Sequence, residues 1–293
     1  RSSFSESMLR HAETLVVELV RSRNLGHGSL VMEAASNDGY LLQFYAKQGV
    51  PVIGVEPAEN IAKIAIDEKG ISTEVKFFDE SIVDELLQKY GPVDVFHAHN
   101  VIAHVPNPMP FLRGIAGILK PGGIAVIEAP YVRDLVDNLQ FDTIYHEHFS
   151  YFGAGSVANL VSCAGLSLVD AVHVSIHGGS LRYILAPPGH AVSERVLALL
   201  AEERREGLDT VGYYRHFAEG VRTLCGELKA KLLALKSAGK RISVYGASAK
   251  GSTMLNFLDL PDDVIEFAVD RSTLKQGHFM SGTRIPIYSP DML

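Results

Sequence analysis

Apolar residues recur at helical spacing near the start of the chain, at Met8, Leu9, Ala12, Leu15, Val16, Leu19 and Val20, which predicts an amphipathic first helix. Ser3 with Glu6 has the S-x-x-E form of a capping box, so Ser3 is the expected N-cap. After this helix, β-rich runs at residues 30–35, 50–55, 74–78, 93–97 and 124–128 alternate with helical stretches. That alternation predicts an α/β fold with a parallel sheet covered by helices. Beyond Tyr131 the rhythm changes. Runs at 166–174 and 180–186 are joined by Ile176-His177-Gly178-Gly179, the spacing of an antiparallel pair that finishes the sheet. Residues 191–238 are helical in composition, and runs at 241–246 and 264–270 begin a second, smaller α/β unit. The expected organisation is a helical segment (1–28), a main domain (29–190), a helical link (191–238) and a partial Rossmann-like domain (239–293).

Composition narrows the partners. At 293 residues the chain is long enough for two domains. Its 27 Lys and Arg against 34 Asp and Glu leave a net charge of -7, so there is no cationic excess to neutralise a phosphate backbone, and nucleic acid is not an expected partner. No apolar run reaches the ~18 to 20 residues that cross a bilayer, and the first helix lacks a signal-peptide core. No membrane partner is expected, and the cytoplasm is the expected location. Cys163 and Cys225 are the two cysteines; they fit a reducing compartment and form no C-x-x-C pair for zinc. Nothing in the sequence fixes the oligomeric state.

Two glycine turns follow strands. The first, Glu33-Ala34-Ala35-Ser36-Asn37-Asp38-Gly39, opens a helix, where backbone amides and small residues let a nucleotide-like ligand approach. Glu56 ends the next strand 17 positions after Gly39, where an acidic residue can hydrogen-bond a ribose diol. Together they indicate an adenosine-containing cofactor, either a nicotinamide dinucleotide or S-adenosylmethionine. A parallel run finished by an antiparallel hairpin favours the second, because it is the sheet of a class I methyltransferase. The second turn, Tyr245-Gly246-Ala247-Ser248-Ala249-Lys250-Gly251, precedes a helix, and Asp270 ends the following strand. It reads equally as a structural turn or as a site where Ser248 and Lys250 hold a diphosphate.

Of the 12 histidines, His97, His99 and His104 cluster at the end of the fourth strand, the ligand-facing edge of an open α/β sheet. His97 lies within the strand and reads as a satisfied core or surface histidine; Asn100 and His104 are better placed for chemistry. A second cluster, Asp142-Thr143-Ile144-Tyr145-His146-Glu147-His148-Phe149-Ser150-Tyr151-Phe152, packs titratable and aromatic groups densely. A histidine there can remove a carbon-bound proton made acidic by a neighbouring carbonyl. His146 and His148 as metal ligands, or a hydrogen-bonded structural corner, are the competing readings. No third convergent ligand is evident, so no metal is assigned.

These segments, with His99-Asn100-Val101-Ile102-Ala103-His104-Val105-Pro106 and His177-Gly178-Gly179-Ser180-Leu181-Arg182, occur in an order that resembles the S-adenosylmethionine-dependent C-methyltransferases of nucleotide-linked deoxysugars. The resemblance runs along nearly the whole chain, and the stretch from Tyr145 to Phe152 is its most specific part. It implies a small zinc-binding N-terminal module, a methyltransferase middle and a Rossmann-like C-terminal domain. The zinc module has no counterpart in these residues, so zinc is expected only in a module missing from this chain. The second α/β unit stops early at Leu293, and Ser281-Gly282 stands where the family usually has Pro-Gly.

The resemblance further implies a nucleotide-linked keto-sugar substrate. His148 would be the general base, Tyr145 a donor to the enolate oxygen or the sugar, and Glu147 a group that orients or tunes His148, with His104 near the reacting centre. Glu33, Ala35, Asn37 and Gly39 would approach the amino-acid and ribose parts of S-adenosylmethionine, and of its product S-adenosylhomocysteine. Glu56 would hold the ribose hydroxyls, Phe78 and Asp79 the adenine, and Asn100 the methionine end. Ser248 and Lys250 would hold the diphosphate, and His177, Ser180 and Arg182 the sugar. Methyl transfer to oxygen or nitrogen, or a non-catalytic cofactor-binding subunit, are the alternatives to methylation of carbon.

Overall fold

The computed structural model describes Ser3 and residues 5–293. In chain order the elements are α1 (Glu6–Ser22), β1 (Val31–Ala34), α2 (Leu42–Lys47), β2 (Val52–Val55), α3 (Glu59–Lys69), β3 (Thr73–Glu74), α4 (Val83–Tyr90), β4 (Val93–His99), α5 (Pro108–Ile118) and β5 (Leu119–Pro130). They continue with α6 (Val132–Asp137), α7 (Ala154–Cys163), β6 (Ser167–Val174), β7 (Ser180–Ala186), α8 (Glu194–Glu206), α9 (Val211–Ser237), β8 (Ser243–Tyr245), α10 (Ala249–Leu258), β9 (Phe267–Val269) and β10 (Ile287–Tyr288).

The chain folds into two compact units that interleave in sequence: residues 1–131 with 149–205, and 132–148 with 206–293. The main domain expected at 29–190 therefore lacks residues 132–148. Phe141 of that segment is buried in one apolar cluster with Val221, Leu255 and Ile265, long-range packing that local pattern does not encode.

In the first unit seven strands follow the order β3-β2-β1-β4-β5-β7-β6. The first five pair in parallel, and β7 enters antiparallel between β5 and β6. This is the class I methyltransferase sheet that the pattern predicts. Val31, Met32, Val95, Phe96, Ala98, Ala125 and Val126 are fully buried, because central parallel strands are covered on both faces and so read as continuous apolar runs. The second unit holds a parallel three-stranded sheet, β10-β9-β8.

Several boundaries differ from the expected ones. Ser5, not Ser3, caps α1: it keeps extended backbone (φ -102°, ψ 111°) and accepts from the Met8 amide, which a residue inside a helix begun at Ser3 could not do. Ser3 instead donates its hydroxyl to Asp38. The third strand shrinks to two residues at the sheet edge, since Phe77 is 80% exposed and Lys76 is drawn to Glu85 at 2.5 Å. No described helix is long and apolar enough to cross a membrane.

Glu203 is a buried acid with a structural task. From α8 its carboxylate accepts from the Ala154 amide at 2.6 Å and the Gly155 amide at 2.8 Å, satisfying orphan donors at the start of α7. Glu203→Ala is expected to cost about 1–3 kcal/mol by leaving these amides unsatisfied, read as a lower denaturant midpoint for the first unit.

Candidate active site

The first glycine turn gathers the residues predicted for a cofactor at the carboxyl ends of β1 and β2. Ala35 (φ 50°) and Asn37 (φ 53°) in this turn, and Asn100 (φ 56°) after β4, are non-glycine residues in the left-handed region. For the alanine such backbone costs roughly 1–2 kcal/mol, whereas asparagine adopts it more readily. Gly39 has φ +70°, which strains any other residue, and a Cβ there would lie 2.7 Å from Ile71 Cδ1, so that side chain would have to shift. Glu56 closes the turn from β2, accepting from the Asn37 and Ala58 amides, both at 2.9 Å. Glu33 is buried, and its Oε2 has no hydrogen-bond partner among the described residues; the same holds for Ser36 Oγ and Asp38 Oδ1. Phe78 is buried against Phe96 and Phe111, with ring centroids 4.6 and 5.6 Å apart. Asp79 caps its own turn, accepting from the Ser81 amide at 2.8 Å.

At the neighbouring strand ends, the Asn100 amide donates to the Glu128 carbonyl at 2.8 Å, and His104 is exposed in the turn Ile102–His104. Beneath them runs a network that the sequence does not reveal. The Tyr45 hydroxyl shares a hydrogen bond with His97 Nε2 at 2.8 Å, His97 Nδ1 shares one with His99 Nε2 at 3.0 Å, and His99 Nδ1 donates to Glu128 at 3.2 Å. Glu128 also accepts from Arg182 Nε at 2.6 Å and His11 Nε2 at 2.8 Å. Sheet register brings these groups together, because Glu128 lies opposite His99 on one side and Arg182 on the other.

Burial alone would raise the Glu128 carboxyl, but the His99 charge, hydrogen bonds from His11 and His99, and the Arg182 guanidinium together hold it well below the carboxylate range. Burial, and then His99, push His97 down. Of the residues predicted for the sugar side, Arg182 is thus held by Glu128, and Ser180 is buried with its hydroxyl on the Ile176 carbonyl at 3.1 Å. The His177 side chain lies outside the described residues.

In the second unit, the Tyr145–His148 stretch forms a tight turn in which the His148 amide donates to the Tyr145 carbonyl at 3.0 Å. The two rings lie 4.4 Å apart. His148 Nδ1 donates to the Thr143 carbonyl at 2.8 Å, which fixes the tautomer carrying its lone pair on Nε2. That orienting partner is a backbone carbonyl and has no residue signature. Burial, then the Glu147 and Asp142 charges, raise the Tyr145 phenol, so it remains a proton donor. Tyr145, His146 and Glu147 line an open cavity of about 710 Å³ with Ser252, Asn256 and Ser281. Asn256 donates to the Ser252 and Ser281 carbonyls at 2.7 and 2.9 Å, tying together three residues of the cavity lining.

In the same unit Ser248 caps α10 by accepting from the Gly251 amide at 3.1 Å, and Lys250 lies in the first turn of that helix. Asp270 reaches back to this turn, accepting from the Ala247 amide at 2.8 Å and from Lys275 at 3.2 Å. Among the described residues no group of three His, Cys, Asp or Glu side chains is placed to hold a metal ion.

Residues 8–171 match the family model of a methyltransferase domain, and residues 175–293 that of a C-methyltransferase C-terminal domain. The C-methyltransferase NovU of Streptomyces niveus is 36% identical over 292 residues, 99% of this chain and 69% of its own length. The chain belongs to the C-methyltransferase family. It is a methyltransferase, and both compact units fall within the family match. A ubiquinone biosynthesis O-methyltransferase of Vibrio parahaemolyticus is 31% identical over 100 residues, 33% of this chain and 41% of that protein. The crystal structure of an S-adenosylmethionine-dependent methyltransferase from Clostridium acetobutylicum aligns at TM-score 0.49 and 12% identity, covering 62% of this chain and 92% of that one.

Proposed function

We propose that the protein transfers a methyl group from S-adenosylmethionine to a carbon of a nucleotide-linked keto-deoxysugar, through an enolate formed by His148. The observation that carries this reading is the fixed tautomer of His148, which aims the Nε2 lone pair away from Thr143 beside the Tyr145 ring. A carbonyl next to the reacting carbon makes its proton removable. His148 accepts that proton at Nε2, and the Tyr145 hydroxyl donates to the oxygen on which the negative charge develops. Glu147 acts on this pair through Tyr145, whose phenol is raised first by burial and then by the Glu147 charge. His104, exposed at the end of β4, is assigned to the reacting centre by its motif. Carbon is preferred to oxygen because the family match names a C-methyltransferase and covers both units.

The first turn fits the cofactor. Its buried Glu33 Oε2, Ser36 Oγ and Asp38 Oδ1, which make no hydrogen bond among the described residues, suit a cationic amino-acid group, and Glu56 at the end of β2 suits a ribose diol. Ala35, Asn37 and Gly39 let the backbone approach, Phe78 and Asp79 flank the adenine, and Asn100 serves the methionine end. When bound, S-adenosylmethionine supplies a sulfonium methyl, electrophilic without a metal. Ser248 and Lys250 at the start of α10 hold the diphosphate, and His177, Ser180 and Arg182 belong to the sugar side.

Incubation with S-adenosylmethionine and a nucleotide-linked 4-keto-deoxysugar is expected to give a product heavier by one methyl, carbon-bound by NMR; an oxygen-bound methyl would defeat the assignment. Gly39→Ala adds a left-handed alanine, ~1–2 kcal/mol, to its clash with Ile71. It is expected to weaken cofactor binding about tenfold or more, measured by calorimetry.

A further inference from the structure

Glu33 lies within β1 at 1% exposure, with no hydrogen-bond partner for Oε2 among the described residues. A buried carboxyl without a donor is costly when charged, and here the surroundings add to the cost. Asp38 faces it from the turn after β1 and Glu56 from the end of β2, while the cation that offsets them among the described residues, Lys69 of α3, makes no hydrogen bond and reaches Asp38 only at 3.7 Å. Among the described residues the Tyr40 phenol from the same turn and Tyr45 from α2 also face Glu33, both raised above the usual phenol range first by burial. With every acid ionised the cluster would carry two net negative charges in a closed space. Asp38 has the Ser3 hydroxyl and Lys69, and Glu56 has two amides. Glu33 has neither kind of support. Burial, then the Glu56 and Asp38 charges, hold its carboxyl well above the usual range, with Lys69 opposing.

We infer that Glu33 carries a proton in the free protein and releases it when cationic S-adenosylmethionine binds, so that cofactor capture and proton release are one event. The O–H bond of the acid breaks, the proton passes to solvent, and the carboxylate left behind is neutralised by the positive charge of the ligand. Because the bound state holds one proton fewer, affinity rises with pH until Glu33 is ionised in the free protein. Lys69 sets where that happens: without its ammonium the acid holds its proton to higher pH. This inference rests on the cofactor assigned above.

Isothermal titration of the whole chain with S-adenosylmethionine tests it. The titration is run at about pH 6.5, below the ~7.7–8.0 of a free α-amino group, in buffers of different ionisation enthalpy. The wild-type binding heat is expected to vary with buffer as the release of close to one proton requires, and affinity to rise up to about tenfold per pH unit. Glu33→Gln, which keeps the shape without the titrating group, is expected to bind with no buffer dependence and a flat pH profile. Lys69→Met moves the wild-type profile to higher pH. Normal wild-type binding with heats independent of buffer overturns the inference, as does equal proton release from wild type and Glu33→Gln. Failure of the wild type to bind at all defeats the cofactor assignment and the inference with it. Should Glu33→Gln not fold by circular dichroism, the wild-type buffer series alone decides.

Discussion

His148→Ala is expected to lower turnover about 10²- to 10⁴-fold, the usual worth of a positioned general base, while S-adenosylmethionine binds with unchanged affinity. The imidazole lies in the 132–148 segment of the second unit, and the turn proposed to hold the cofactor lies in the first. The Thr143 carbonyl already fixes the ring by its bond to Nδ1. His148→Gln, which lacks a basic nitrogen, is therefore expected to be as impaired as the alanine variant. Tyr145→Phe removes the proposed donor to the developing oxyanion and is expected to reduce kcat more than it raises KM. His146→Ala, altering an exposed wall of the cavity, is expected to raise KM for the sugar with a smaller effect on kcat. Single-turnover kinetics with calorimetric cofactor affinities separate these outcomes.

Glu128→Ala is the stability change with the largest expected effect, about 3–5 kcal/mol, because it leaves charged and hydrogen-bonding partners buried without their acceptor. Arg182, His11 and His99 all converge on this carboxylate, and its side chain is 1% exposed. The pH dependence has a definite sign. Since the folded carboxyl sits below its unfolded value, the unfolded chain binds more protons in acid. The stabilisation is complete above roughly pH 4.3, the unfolded glutamate value, and is lost as pH falls toward the folded one. His97 adds an earlier step of the same sign. Its folded value is depressed by burial, so its contribution is present above ~6.5 and lost as pH falls below it. Calorimetric melting of the wild type should show both acid losses. Glu128→Ala should melt lower at neutral pH and lack the more acidic step.

The elements with strong local patterns were legible in the sequence. The β7 run at 180–186 matches the strand residue for residue, and the alternation of runs with helices gave the parallel sheet and its antiparallel finish. The acidic residue after the second strand and the glycine turn also lie where the pattern put them, at the ends of β2 and β1. Features that depend on pairing across the sheet were not legible. His99, Glu128 and Arg182 are far apart in sequence and meet only through register, so the pairing of Arg182 with a buried acid has no local sequence signature. Backbone partners were equally invisible, which is why Thr143 was missed as the group orienting His148 and Ser5 as the cap of α1. The grouping of residues 132–148 with the second unit follows from where Phe141 is buried, a property of the packed chain.

The central claim is that His148 forms an enolate before any methyl is transferred, and solvent exchange tests it most directly. In D₂O, with a nucleotide-linked 4-keto-deoxysugar and no S-adenosylmethionine, the wild type is expected to place deuterium on the carbon beside the carbonyl, and His148→Ala is expected to leave that proton in place. A wild type that methylates the sugar but exchanges no proton, or a His148→Ala variant that exchanges as fast as wild type, would contradict the account.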